Sequence, residues 1–322
     1  MKNAVSVIKV SIVLFAVLLF SAGCKSNVTG PEDSQLTDKD AMLKLVDGDE
    51  TISSFESNFD EEEALDMVYS KTGAEIFPVK MGQKMLLTSR DLQVNVVGDT
   101  AYGTLTKTFE GVLYIAASLD SIDTQSKAAS VDTVIEKTFN TTVVRNIIFA
   151  KRDNAVEDDS VNLYRNWKIQ SVSLVKGGTA LTNAEITKIT FTMPDAEYTV
   201  ENPLEYYLDK GPGWRRHICS IGMSKEVLVK IEVTSSYAED EYVSLTYGAA
   251  KNGLKWRTKR FLELTSSVQN GNIYTKIYEG TFNIRQFVGH KHAVVNVVPF
   301  SVANDDSAPV EESTWGFPYF VK

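Results

Sequence analysis

Residues that usually carry chemistry are scarce in this chain. Among 322 residues there are three histidines and two cysteines. Two cysteines, Cys24 and Cys219, cannot build the disulfide framework that staples small secreted domains. His217, His290 and His292 all lie in the last third, so the first part of the chain lacks the usual general base. No P-loop, Rossmann glycine pattern, HExxH or GxSxG is present, so the sequence implies no cofactor and no metal. A basic excess is missing too. The net charge is −9, and residues 25–184 carry 25 acidic against 16 basic side chains. That balance argues against nucleic acid and against an anionic membrane surface as partners.

What the chain does have is one long apolar run, and it stops at a cysteine. Lys2 and Lys9 flank a basic start just before "VSIVLFAVLLFSAGCKSN", in which Val10 to Phe20 form the apolar stretch. A spanning helix needs roughly 20 apolar residues, so this shorter run fits the h-region of a signal peptide. Small residues Ser21, Ala22 and Gly23 lead into Cys24. The pattern resembles the bacterial lipoprotein signal, with Ser21 standing where that family usually has leucine. The resemblance implies cleavage of residues 1–23 and acylation of Cys24 with fatty acids such as palmitate. It also implies a partner in the membrane, through the acyl anchor. Lys25, in place of an inner-membrane aspartate, points by the same resemblance to the outer membrane of a Gram-negative envelope. Residues 24–35, rich in Gly, Pro, Asn and Ser, read as a flexible tether.

Two modules follow. The first, residues 36–182, opens with two helical signals. Thr37 or Asp38 caps a run with Ala41, Leu43, Leu45 and Val46 on one face, and Asp60 caps a second run that ends at Gly73. The period then changes to that of strands. Leu92, Val94 and Val96 alternate before a turn at Gly98-Asp99. Residues 118–132 read as a long hairpin loop. "TVIEKTFNTTVVRNIIFAKRDN" is another strand and "NWKIQSVSLVKGGT" a last one. The element order, with "VVRNIIFAKR" and "NWKIQSVSLVKGG", resembles the cone-shaped α+β NTF2-like fold. That resemblance implies a pocket at the wide end of a curved sheet, and Tyr69, Asp91, Tyr102 and Arg145 are its candidate lining.

The second module, residues 185–322, is nearly all strand. Val227, Val229, Ile231 and Val233 alternate, as do Val243, Leu245 and Tyr247. Asn252-Gly253 and Asn270-Gly271 mark turns, and Pro203, Pro212 and Pro318 read as loop or edge positions. "ITKITFTM", "LKWRTKRFLEL" and "HAVVNVVPFSV" each read as one strand. The stretch "YVSLTYGAAKNGLKWRTKRFLELTSSVQNGNIYTKIYEGTFNI" resembles the Ig-like β-sandwich modules of bacterial secreted proteins, without their cysteine pair. The boundary "KGGTALTNAE" is small and polar, so the two modules are expected to fold separately.

Candidate functional residues are few. Cys219, in "RRHICSIG", reads as a small buried hydrophobe. His290 and His292 share a face of one strand and read as an exposed pair at the strand's entry. Trp167 reads as core, and Trp315, which begins the terminal "WGFPYF" strand, as core or edge packing. Trp214, Arg215, Arg216 and Trp256 form a possible basic aromatic patch suited to an acidic envelope protein or an anionic glycan. Two readings of function follow. One is a non-enzymatic binding or structural protein of the envelope. The other is an NTF2-like isomerase or dehydratase acting on a small hydrophobic substrate in the cone.

Overall fold

The computed structural model describes residues 37–49, 51–52, 66–67, 77–118, 131–153, 166–210, 219–223, 225–248, 258–284 and 288–322. Among them the fold is predominantly β, with two sheets and few helices. Strand pairing is antiparallel except where β10 (Cys219–Ile221) runs parallel to β17 (Ser313–Val321).

Helix α1 (Asp38–Gly48) begins as its sequence suggests. Thr37 accepts from the Asp40 backbone N–H, and the Asp40 carboxylate accepts in return from the Thr37 N–H. This reciprocal box satisfies two orphan donors of the first turn. Ala41, Met42 and Val46 are buried. The second helical signal lies outside the described residues except at β1 (Asp66–Met67). There the helix reading is corrected: β1 is a strand, paired with Lys80 and Met81. A helix N-terminus signal is local, and a sheet edge offering free hydrogen bonds can override it.

Three long strands follow: β2 (Phe77–Val97), β3 (Thr100–Ser118) and β4 (Thr133–Lys151). Gly98 makes the β2–β3 turn at φ 60°, a left-handed conformation that glycine adopts at no steric cost. In β3 the odd residues Ala101, Leu105, Phe109 and Leu113 are buried while their even neighbours are more exposed. The run expected as one last strand is broken at Leu174 into β5 (Trp167–Ser173) and β6 (Val175–Gly178). Ser173 Oγ causes the step by accepting from the Asn146 N–H at 2.8 Å and donating to the Leu174 carbonyl at 2.7 Å.

β6 is the seam of the molecule. It pairs with β4 on one side and with β17 on the other. The large sheet therefore runs β1-β2-β3-β4-β6-β17-β16-β12-β13, with β5 and β9 (Tyr207–Asp209) alongside. Its later strands are β12 (Tyr242–Tyr247), β13 (Thr258–Phe261) and β16 (Gly289–Val298). The second sheet, in order β14-β15-β11-β7-β8, comprises β7 (Ala184–Met193), β8 (Ala196–Val200), β11 (Glu226–Ser235), β14 (Glu263–Asn270) and β15 (Ile273–Asn283). Val227, Val229, Ile231 and Val233 of β11 share one continuous core with Val243 and Leu245 of β12, Ala293, Val295 and Val297 of β16, and Trp315 of β17. Two sheets packed face to face make a sandwich.

The large sheet also curls back on itself. The other face of β16 lies over the first strands: Val294 packs with Met85, Phe109 and Val143, and Val298 with Met81 and Leu113. Residues 36–322 thus form one compact unit, with one sheet crossing the point where two separately folding modules were expected.

Three further sequence readings need correction. "LKWRTKRFLEL" is no single strand: at Leu262 the chain leaves β13 of the large sheet and enters β14 of the small one. After Pro299, "FSVAN" is a short helix α2 (Phe300–Asn304) and not strand, because proline supplies no ladder donor and suits a helix start. Pro318 sits inside β17, paired with His292. It is tolerated because β6 pairs only as far as Gly316 and β10 starts at Tyr319, leaving a gap where no donor is required.

Candidate functional site

The strongest concentration of functional groups lies where the curl brings β16 against β4. Arg145 is 3 % exposed and His292 is 0 % exposed. Arg145 Nη2 lies 3.1 Å from His292 Nε2. A guanidinium has donors only, so Nε2 must accept, which leaves the imidazole neutral with its proton on Nδ1. Burial holds the His292 pKa well below the ordinary value, and the charges of Arg145 and then Lys107 push it the same way. Arg145 Nη1 also donates to the Thr51 carbonyl at 3.4 Å. The space beside this cluster, lined by Ile52, Leu105, Lys107, Val143 and Val175, is about 10 Å³. That is room for roughly one water molecule and no substrate.

The sequence reading of an exposed histidine pair is therefore corrected. His290 is partly buried with its ring 4.9 Å from that of Phe320, and His292 is wholly inside. The signal was present in "HKHAVVNVV". A strand apolar on both parities is covered on both faces, and His292 is in phase with Val294 and Val298.

The candidate cone residues do not converge. Leu92, Leu105 and Ile147 share the covered face with Arg145, since Leu105 pairs with both Leu92 and Arg145. Asp91 belongs to the opposite face and is exposed, 3.4 Å from Lys39 Nζ. Tyr102 is 52 % exposed on that same outer face. Tyr69 lies outside the described residues, as do Trp214, Arg215, Arg216, His217 and Trp256, so the basic aromatic patch is not described either. The Cys219 backbone sits in β10 against Tyr319. Trp167 is core, as expected, and of the core or edge positions open to Trp315 the structure has it in the core. The Trp167 indole N–H donates to Asp38 Oδ1 at 2.9 Å, tying α1 to the sheet.

Two buried polar clusters escaped sequence reasoning. In the sandwich, Lys276 Nζ donates to Glu241 Oε1 at 2.9 Å and Oε2 at 3.1 Å, and to the Glu239 carbonyl. Tyr278 OH donates to Glu241 Oε2 at 2.6 Å. Both charged side chains of that pair are 0 % exposed. Burial, followed by the Glu241 charge, raises the Tyr278 phenol far above its ordinary pKa. The available signal was Lys276 in phase with Tyr278 and Phe282, a lysine at a core position that demands a carboxylate. At the other end, Lys137 of β4 donates to the carbonyls of Val302 at 2.7 Å and Ala308 at 2.9 Å, and to that of Asp305. Burial lowers its pKa against the opposing pull of Asp305 and Asp306. Nothing local in the sequence pairs Lys137 with residues so distant.

Larger concavities are open grooves. One of about 410 Å³ lies where the chain changes sheets, lined by Leu228, Arg260, Phe261, Glu263, Glu279 and Phe282. Another of about 480 Å³ lies on the outside of β2–β4, beside Leu86, Glu110 and Phe139. Their size falls within the range of small-molecule sites, but neither gathers a buried charged side chain. Among the described residues no group of three or more His, Cys, Asp or Glu side chains is placed to hold a metal.

No family model matches this chain. No curated protein matches it either. Among solved structures it is similar to Astrotactin-2, described as a conserved, vertebrate-specific and perforin-like membrane protein involved in neuronal development. That similarity has 8% sequence identity over 80% of this chain and 69% of the other, with a TM-score of 0.20. A likeness of that size carries no argument about fold or function.

Proposed function

We propose that this is a lipid-anchored protein of the bacterial envelope whose β-rich body serves a binding or structural role. The observation that carries the reading is the run from Lys9 through Val10–Phe20 to Ser21-Ala22-Gly23-Cys24. It has the length of a processed signal and ends on the residue that would be acylated, and two or more acyl chains suffice for stable anchoring. Lys25 favours the outer membrane of a Gram-negative cell. We read the five-stranded sheet with β17-β16-β12 as an Ig-like sandwich.

The buried titratable groups support a non-enzymatic body, because their hydrogen bonds go to the fold. His292 accepts from Arg145, Lys137 fills a carbonyl cage, and Glu241 is held by Lys276 and Tyr278. The alternative, an NTF2-like isomerase or dehydratase, would need Asp91, Tyr102 and Arg145 around one cavity, and they occupy two faces of the sheet. Metabolic labelling with a fatty acid tests the anchor. Label should enter the wild-type chain and be lost in Cys24→Ala, with the body still folded. Label retained on Cys24→Ala would overturn the reading.

A further inference from the structure

The outermost strand of a sheet leaves every second backbone N–H and C=O without a ladder partner. Proteins blunt such edges with short strands, charges, proline or a covering element. Most edges of this fold are treated in that way. β8 has five residues and carries Glu197, β13 has four and carries Lys259 and Arg260, and β9 and β10 have three each. β2 is long, but it carries Lys84, Arg90 and Asp91. Ion pairs from Arg90 to Asp47 and from Lys39 to Asp91 also bring α1 beside it.

β14 is the exception. It runs eight residues, and among the described residues it pairs with β15 alone. From Leu264 to Ile273, in "LTSSVQNGNI", there is no charged side chain and no proline. The register shift between Leu264 and Ser266 lies near the start of the strand, so Ser266 to Asn270 pair evenly with Ile277 to Ile273. Both faces of this stretch are open. Ser267 and Gln269 are exposed, although Ser267 pairs with Lys276, which points into the sandwich. Val268 is 60 % exposed on the outer face, and Ile273, 43 % exposed, shares that face.

The composition of the edge selects its occupant. A charged partner would be held by opposite charges, and this stretch offers none. The net charge of −9 makes two copies of the chain repel each other over most of their surface. An uncharged stretch of strand is where they approach at least cost. Two β14 strands set antiparallel about Val268 place Val268 against the partner's Val268, Ser267 opposite the partner's Gln269 and Ser266 opposite the partner's Asn270. Glu263 then falls opposite the partner's Ile273, so no like charges meet across the pair. An aliphatic contact at the centre with polar pairs on either side is self-complementary, as a two-fold interface requires.

We infer that β14 is a self-association edge, at which a second copy of this chain adds its own β14 antiparallel about Val268. The two five-stranded sheets become one continuous sheet across the contact. A contact of one strand is smaller than a permanent interface, so the dimer is weak and forms with rising concentration. The inference is independent of the lipid anchor.

The test uses residues 24–322 with Cys24→Ala and Cys219→Ser, so that an engineered thiol is the only one. Val268→Cys stands on the axis, where directly opposed Cα atoms are about 4.5–5.5 Å apart, within reach of a disulfide. Asn270→Cys lies on the same face, but its own counterpart is roughly 14 Å away. Mild oxidation should cross-link the Val268→Cys chain and leave the Asn270→Cys chain monomeric. Equal cross-linking of both means random collision and overturns the inference. Without an engineered thiol, sedimentation velocity should show the mass rising toward that of a dimer as concentration increases. Val268→Lys sets two cations against each other at the axis and should weaken association roughly tenfold. Val268→Thr, branched and uncharged, should keep most of it. Because Val268 is exposed, the urea midpoints of both variants should match the parent's, which separates lost pairing from lost folding. A parent chain that stays monomeric, or a Val268→Lys chain that associates as tightly as the parent, overturns the inference.

Discussion

The long strands β2, β3 and β4, of 19 to 21 residues, are covered on one face, whereas β12, β16 and β17, of 6 to 10 residues, are covered on both. The difference shows in the burial patterns. β3 alternates almost to its end, but β12, β16 and β17 are buried nearly throughout. One sheet contains both kinds of strand. Its first half has a solvent side, while its second half is the middle layer between β2–β4 and the five-stranded sheet. A middle layer has no outward direction for a polar residue, so leaving a polar group there without a partner is costly. That is why the buried Lys276–Glu241 ion pair and the hydrogen bond from Arg145 to neutral His292 gather in or against the second half.

The largest test of this contrast removes one partner in the sandwich. Lys276→Met leaves the Glu241 carboxylate buried without its cation, which should cost about 3–5 kcal/mol. Replacing both, with Lys276→Met and Glu241→Leu, should recover much of the loss because no uncompensated charge remains. Urea unfolding of the two variants checks the order. A double variant as unstable as the single would mean that packing, and not charge burial, dominates at this position.

The seam comes next. A methyl group added at Gly177 would lie 2.5 Å from Val143 Cγ1 and 2.6 Å from the Thr142 carbonyl. The neighbouring Gly178 has φ 147°, a conformation side chains avoid. Gly177→Ala should therefore cost about 3 kcal/mol, through crowding against backbone that cannot yield. Because β6 joins β4 to β17, amide protection should fall together in β3 and β11 by hydrogen exchange. Loss confined to β2–β5 would restore the picture of two modules that fold separately.

These two sites also show what could be read without coordinates. Alternation in "KEVLVKIEVTS" and the Gly98-Asp99 and Asn270-Gly271 turns give strand positions directly, since each signal is local. The cap at Thr37 does as well. The break at Leu174 depends on Ser173 meeting Asn146, a contact across strands. Gly177 and Gly178 look like linker residues because small size suits both a loose linker and a tight seam. His292 belongs to β16 and Arg145 to β4, and only the curl of the sheet joins them. Arg145 was expected to line an open cone and is instead bonded to His292, because curvature is a property of the whole sheet.

A smaller effect follows from pH. Since the folded pKa of His292 is depressed by burial and by Arg145 and Lys107, the unfolded chain takes up a proton that the folded one refuses. His292 therefore contributes its full stability above about pH 6.5, and that contribution is lost as pH falls toward the folded value, by up to about 1.4 kcal/mol per unit. His292→Gln, which keeps an acceptor for Arg145, should flatten the decline between pH 6.5 and 5. An unchanged slope in the variant would assign the acid sensitivity to other groups.

The smallest effects concern α1, through its own N-terminal cap and one surface ion pair to β2. Its Thr37 box closes two backbone donors, so Thr37→Ala should cost about 1 kcal/mol. Lys39 and Asp91 also meet at 3.4 Å, but their side chains are 54 % and 50 % exposed. Water screens such a pair, and holding two mobile side chains together offsets much of the attraction. Lys39→Ala should change stability by no more than about 0.5 kcal/mol. Thermal melts in low and high salt separate the two, because the cap is insensitive to screening and the ion pair is not. A Lys39→Ala loss matching that of Thr37→Ala would mean that surface charge fixes α1 to the sheet. The buried Met42 and Val46, and the Asp38 bond to Trp167, argue that packing holds it instead.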